Sequence, residues 1–283
     1  MRPLLLLSLL CANLVAGTPG YERARALYES TDYDGSLRLL LPLEQKDAAT
    51  LVLIGQNYFM MRDATRATEF FQQAVDIEPT NSVYYHWLGR AWGLRAETGT
   101  IFTAMSSASK ARQNFEKAIE LDPHNSEAVN DLFEFYVEAP SFIGGGLDKA
   151  ARLAELIAAH DAAEGNYAQA RMAEKKKEYS RAESHLRRAM ELAPRQVGRV
   201  IDLAKFLAKH GSFEESEKTF QAAEKIAPGA PKLMFARASA YIQAKRNIET
   251  AKRLLQKYLT ARLTPDDPPR EEARKLLQEA SGG

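Results

Sequence analysis

The chain reads as an all-α fold, a solenoid of stacked helical hairpins. Three observations predict it. Four segments look alike: AVDIEPTN at 74–81, AIELDPHN at 118–125, AMELAP at 189–194 and AEKIAP at 223–228. Their prolines, Pro79, Pro123, Pro194 and Pro228, are 44, 71 and 34 residues apart. A unit of 34 residues explains these spacings if ten residues are added in one unit and three in another. Within a unit, apolar and small residues recur at helical intervals. Leu51, Ile54, Gly55 and Tyr58 fall at i, i+3, i+4 and i+7, and Ala67, Phe71 and Ala74 mark a second helical face.

Composition excludes several function classes. Of 283 residues, 45% are hydrophobic, enough to exclude disorder as the main state. Lys plus Arg is 38 and Asp plus Glu is 37, for a net charge of +1 that leaves no electrostatic footprint for nucleic acid. The single cysteine, Cys11, rules out a disulfide framework and a multi-cysteine zinc site.

Residues 1–17, MRPLLLLSLLCANLVAG, have the layout of a secretory signal peptide. Arg2 is the positive start, Leu4 to Ala16 is apolar over thirteen positions, and Ala16 and Gly17 are the small residues for cleavage. A spanning helix needs about 20 apolar residues. Leu10 before Cys11 is a poor match to a lipobox, so Cys11 reads as one more apolar residue of the leader. Cleavage would leave 18–283 with no cysteine and, without Arg2, no net charge.

The elements then follow in order as units of about 18–47, 48–81, 82–125, 126–162, 163–196, 197–230 and 231–264, with a capping helix at about 270–280. YDGSLRLL in the first reads as a turn and second helix. In 48–81, Gly55 and Ala67 are small where two helices must touch, Tyr58 and Phe71 fill the space beside them, and Pro79 stops the second helix. The next unit repeats this with Leu88, Gly89, Trp92, Ala111, Phe115 and Pro123, around ten extra residues between Arg95 and Ser109. Three extra residues in 126–162 fall in PSFIGGG at 140–146. The later units carry Ala182, Leu186 and Ala189; Leu203, Ala204 and Phe220; and Ala238, Tyr241 and Leu255.

The 48–81 unit resembles the tetratricopeptide repeat (TPR) family at all eight slots of its pattern, with Ile54 in the leucine slot. The other units resemble it in phase, so the likeness spans nearly all of 18–283. It implies a right-handed α-solenoid of about six to seven units with a C-terminal capping helix. No unit buries its apolar face alone, so stability comes from stacking. Residues 139–150 also resemble a loop of bacterial exported TPR proteins.

By the same resemblance, the first helices line a concave binding groove at positions 2, 5, 9, 12 and 13 of each unit. The groove candidates are Val52, Gln56 and Phe59; His86, Arg90 and Leu94; Asn130, Glu134 and Glu138; Tyr167, Arg171 and Lys175; Ile201, Lys205 and Lys209; and Phe235, Ser239 and Ile242. The groove charges are expected to segregate along its length, with a more apolar entry, an acidic middle wall at Glu134 and Glu138 and a basic C-terminal wall at Arg171, Lys175, Lys205 and Lys209. Phe59, Tyr167 and Phe235 are the natural aromatic anchors. The carboxylate clamp of chaperone-binding members is absent: Val52, Gln56, Trp87, Glu127 and Asp131 stand in its Lys, Asn and Arg slots.

The insertion TGTIFTAMSS at 98–107 is a second candidate surface. Ile101, Phe102 and Met105 either lengthen the second helix and pack on a neighbour, which is the preferred reading, or form a partner-binding tip.

No catalytic constellation is legible. The histidines, His86, His124, His160, His185 and His210, show no HExxH spacing, and there is no G-x-S-x-G. Gly144-Gly145-Gly146 lacks the P-loop pattern and reads as a wide turn needing positive φ. Lys175-Lys176-Lys177, flanked by Glu174 and Glu178, reads as a solvated face. No cofactor, metal or nucleic-acid partner is predicted. The expected protein is a non-catalytic scaffold or adaptor of the bacterial cell envelope, periplasmic or secreted, binding a protein or extended peptide segment in its groove. The alternatives are an inner-membrane scaffold tethered through an uncleaved N-terminal segment, and a groove that binds a glycan or small ligand.

Overall fold

A computed structural model of the chain describes residues 18–282, and the predicted leader at 1–17 lies outside them. The described residues form fifteen α-helices and one short 3-10 turn, with no strand. The helices pack in chain order as antiparallel hairpins. These are α1 (Pro19–Glu29) with α2 (Tyr33–Leu40), α3 (Ala48–Met60) with α4 (Ala64–Ile77), α5 (Ser82–Thr98) with α6 (Ile101–Leu121), and α7 (Ser126–Glu138) with α8 (Leu147–His160). Then come α9 (Ala162–Lys175) with α10 (Tyr179–Leu192), α11 (Val197–Lys209) with α12 (Phe213–Ile226), and α13 (Pro231–Gln243) with α14 (Ile248–Thr260). The last helix, α15 (Arg270–Ala280), packs on α13 and α14.

Short polar side chains start many of these helices. Asp32, Asp47, Asp63, Asn81, Asn125 and Asp161 each accept a hydrogen bond from a backbone N–H in the first turn, satisfying a donor the helix cannot pair internally. The turns inside the hairpins share a second device. Thr31, Arg62, Lys177, Gly211 and Lys245 all take positive φ, and the next N–H closes back on the preceding helix, as from Asp63 to Tyr58 O at 2.9 Å. The α5–α6 and α7–α8 hairpins, which carry the extra residues, depart from this turn.

Close approach within a hairpin depends on residues without bulk. A Cβ on Gly55 would stand 2.7 Å from the Phe71 ring, and one on Gly89 would stand 2.6 Å from Phe115. Phe71, Phe220, Leu255 and Tyr258 are fully buried, each in the second helix of its hairpin. The apolar face of one hairpin is thus covered by the next along the stack.

The two insertions are built differently. At 98–107 the added residues lengthen both helices: α5 has 17 residues and α6 has 21, against 13 and 14 in α3 and α4. The expected packing of this segment does not occur at Phe102, which is 89% exposed, or at Met105, which is 49% exposed. The longer α6 carries these side chains outward, beyond a neighbouring second helix only 14 residues long. In 140–146, a 3-10 turn at Ser141–Ile143 leads to Gly144 at φ 103°. Lys149 Nζ donates to Gly144 O, and Gly146 N–H donates to Tyr136 O.

Candidate functional site: the concave groove

The first helices of successive hairpins line the inner face, and charged side chains join them crosswise. Arg171 on α9 donates to Glu134 on α7 from Nε at 3.1 Å and from Nη2 at 3.0 Å, and to Glu138 from Nη2 at 2.8 Å. Lys175 Nζ reaches Glu138 at 2.9 Å. The ladder continues from Glu174 to the C-terminal end of α11, where Lys209 Nζ stands at 2.7 Å and Nε2 of the capping His210 at 3.4 Å. Arg199 bridges Glu164 on α9 and Asp202 on its own helix.

These contacts set the local protonation. The Lys175 hydrogen bond holds the Glu138 carboxyl below the ordinary glutamate value of 4.5. At Glu174 burial pushes upward, but Lys209, His210 and Arg171 outweigh it and the carboxyl is lowered. Burial wins at Glu164 and Asp202, whose carboxyls are raised despite Arg199. The acidic middle wall and the basic C-terminal wall therefore meet at a seam between α7 and α9. Its charges are largely cancelled pairwise, because consecutive first helices bring positions one unit apart within hydrogen-bond reach.

The predicted residues divide by accessibility. Val52, His86 and Ile201 are buried and form the floor beneath the groove. His86 Nε2 bonds Asp131 at 2.8 Å, tying α5 to α7. Gln56, Asn130, Glu134 and Arg171 are half-buried, as are the aromatics, while Glu138, Lys175, Lys205 and Lys209 are exposed. Phe59 meets Trp87 edge-on with ring centres 5.7 Å apart, and the Arg90 guanidinium lies 4.3 Å from the Trp87 ring centre. Tyr167 is covered by Arg199, and Phe235 tilts onto Tyr258.

Two adjoining cavities open here. One of about 470 Å³ is lined by Tyr167, Arg171, Glu174, Asp202, Lys205 and Lys209, among others. The second, about 330 Å³, lies between α11 and α13 and includes Asp202, Lys205, Lys232, Phe235 and Pro268. Asp202 and Lys205 border both. Among the described residues, neither Lys205 nor Lys232 has a carboxylate within 4.0 Å of its ammonium. The selection by sequence missed Glu164, Glu174, Arg199, Asp202, Lys232 and Pro268. Glu164 and Lys232 occupy position 2 of their units and Glu174 occupies position 12, so the repeat register could have found them. Pro268 lies outside the repeats, where the register says nothing.

The family described as tetratricopeptide repeat matches residues 48–81, the hairpin of α3 and α4. The chain has the fold of a tetratricopeptide-repeat solenoid. Among solved structures, the chain is similar to a thermophilic TPR protein of Thermus thermophilus. There the identity is 18% and the TM-score 0.55, over 66% of this chain and 97% of that one. A tetratricopeptide repeat protein of Parabacteroides merdae is 13% identical, with a TM-score of 0.59 over 93% and 97% of the two chains. Yeast Tom70 is 17% identical with a TM-score of 0.58, and the match covers 93% of this chain but 54% of Tom70. At these identities the likeness is one of fold. No curated protein matches the chain. TPR folds are generally non-catalytic scaffolds for protein–protein interaction. No helix among the described residues is long and apolar enough to cross a membrane.

Proposed function

We propose that this TPR solenoid is a non-catalytic scaffold of the bacterial cell envelope, exported through residues 1–17, that holds an extended segment of a partner protein in its groove. The observation that carries this reading is the pair of adjoining cavities sharing Lys205, whose ammonium is exposed and unpaired among the described residues. A long inner face with half-buried aromatics and exposed cations suits a peptide held at several points. A closed pocket with aligned nucleophile and base would suit chemistry instead.

Site-specific photo-crosslinking tests it. A crosslinker replaces Lys205 in the groove or, as control, Lys225, which is exposed on the outer helix α12. A protein captured from 205 in envelope extracts and absent from 225 supports the proposal. Equal capture from both positions, or none from 205, overturns it.

A further inference from the structure

The segment between α14 and α15, residues 262–269, runs RLTPDDPP and leaves the repeat pattern. Its path is pinned at several points. Leu263 is buried at 3% exposure against the last hairpin. Asp267 holds a tight turn, accepting from Thr264 N–H at 3.0 Å and Thr264 Oγ1 at 3.1 Å. Tyr258 Oη donates to Pro268 O. Pro269 has φ −58° and ψ 142°, the polyproline II conformation. Pro268 thereby comes to line the cavity between α11 and α13, beside Lys205, Lys232 and Phe235.

The same segment closes the solenoid on itself. Arg270 donates to Leu259 O at 3.3 Å, to Ala261 O at 2.9 Å and, from Nη1, to Thr31 Oγ1 at 3.0 Å. Thr31 sits in the turn of the first hairpin, 239 residues away in sequence. Two residues on, Glu272 accepts from Arg62 Nη1 at 3.2 Å, a pair separated by 210 residues. The end of the chain is thus latched to its beginning, and the strap lies at the groove cavity between them.

We propose that residues 262–269 are a built-in competitor seated at the C-terminal cavity, latched by Arg270 and Glu272, and that the external ligand of this cavity is an extended, acidic, proline-containing peptide segment. This rests on the groove reading above and names its ligand chemistry. The strap supplies Pro268 to the cavity but brings no carboxylate to Lys205 or Lys232 within ion-pair distance. Asp267 is spent on Thr264 within the strap. A partner whose carboxylates reach both ammoniums therefore gains contacts the strap lacks, while the strap has the advantage of a short tether and hence a high effective concentration. Opening the latch removes that advantage.

Fluorescence anisotropy with a labelled peptide of sequence 262–270 reads this on the full chain. Arg270→Ala/Glu272→Ala is expected to bind the peptide at least about tenfold more tightly than wild type. Freed from the constraint of the strap's two ends, the peptide's aspartates can reach both ammoniums, so adding Lys205→Glu/Lys232→Glu to that variant should abolish binding, and a peptide carrying Asp266→Asn and Asp267→Asn should bind more weakly. The variant Arg62→Lys, which keeps a cation beside both Glu272 and Glu97 and leaves Arg270 in place, serves as the folded control and should bind as wild type does. Equal affinity of wild type and the opened variant, or no binding to an opened variant with full helical circular dichroism, overturns the proposal. If crosslinking from 205 still captures a partner in that case, only the strap reading falls. If it captures none, the groove reading falls too.

Discussion

Arg171 of α9 clasps Glu134 of α7 with two donors, Nε at 3.1 Å and Nη2 at 3.0 Å, across the seam between two repeats. The same guanidinium reaches Glu138 and Glu174, so one side chain ties three carboxylates. It serves the stacking of repeats before it can serve any ligand. Arg171→Ala leaves those carboxylates facing one another and should destabilise the chain by about 1–3 kcal/mol. Urea unfolding of Arg171→Ala, Glu134→Ala and the double variant measures it, with an expected coupling of about 0.5–2 kcal/mol. Additive effects would remove the pair from the list of stabilising contacts.

Gly55 offers a test of hairpin packing. Its missing Cβ leaves room for the Phe71 ring, which is fully buried and cannot swing away. Gly55→Ala gains about 1 kcal/mol of helix propensity and should still lose about 1–3 kcal/mol net through overpacking. Phe71→Leu in the same chain should recover part of that loss. A thermal midpoint unchanged by Gly55→Ala would contradict the contact.

The turn residue Lys177 makes the opposite forecast. At φ 62° it holds a left-handed conformation that disfavours any side chain with a Cβ. Its side chain is exposed, so nothing is lost by removing it. Lys177→Gly should stabilise by about 0.5 kcal/mol, the relief of strain exceeding the added freedom of the unfolded chain. Chemical denaturation of the two proteins side by side decides it.

The ladder also sets a pH response. Glu138 has a folded pKa below the ordinary 4.5, first through Lys175 and then through Arg171. A carboxyl lowered on folding contributes stability that is complete above its unfolded pKa and disappears as pH falls through the folded one. Glu138→Gln should therefore be less stable than wild type at neutral pH, and the gap should close below about pH 4.5. Glu164 and Asp202, raised by burial, act with the opposite sign: their unfavourable contribution at neutral pH fades on acidification. A gap for Glu138→Gln that widens in acid would refute the assignment.

Phe102 contributes nothing to the core. At 89% exposure, its replacement by serine should change stability by less than about 0.5 kcal/mol. The wild-type and Phe102→Ser unfolding curves should superimpose, and a clear loss would place the ring against a neighbour after all.

Much of the architecture was legible because its causes are local. Leu51, Ile54, Gly55, Tyr58, Ala67 and Phe71 lie within one unit, and helical spacing alone brings them to one interface. The groove register was legible as positions, but not as surface. Val52, His86 and Ile201 share their position in the unit with the half-buried Asn130, Tyr167 and Phe235 and are nevertheless fully covered. Arg171 and Glu134 are 37 residues apart, so their pairing depends on how one hairpin is rotated on the next. The register suggested an acidic stretch followed by a basic one along the groove, whereas stacking pairs Glu138 with Arg171 and Lys175 where the two meet. The insertion at 98–107 misled for a related reason: its apolar residues imply burial only if a neighbour extends equally far, and none does so at Phe102.

By itself the sequence determined the repeating helix pair, its small contact residues and its stops, because each follows from the spacing of residues inside 34 positions. Only the tertiary structure decided that Arg270 meets Thr31, that Glu272 meets Arg62 and that Pro268 stands beside Lys205. Those meetings depend on the rotation and rise added at every hairpin junction along the stack. That sum is carried by no single unit, and so no motif in the sequence announces it.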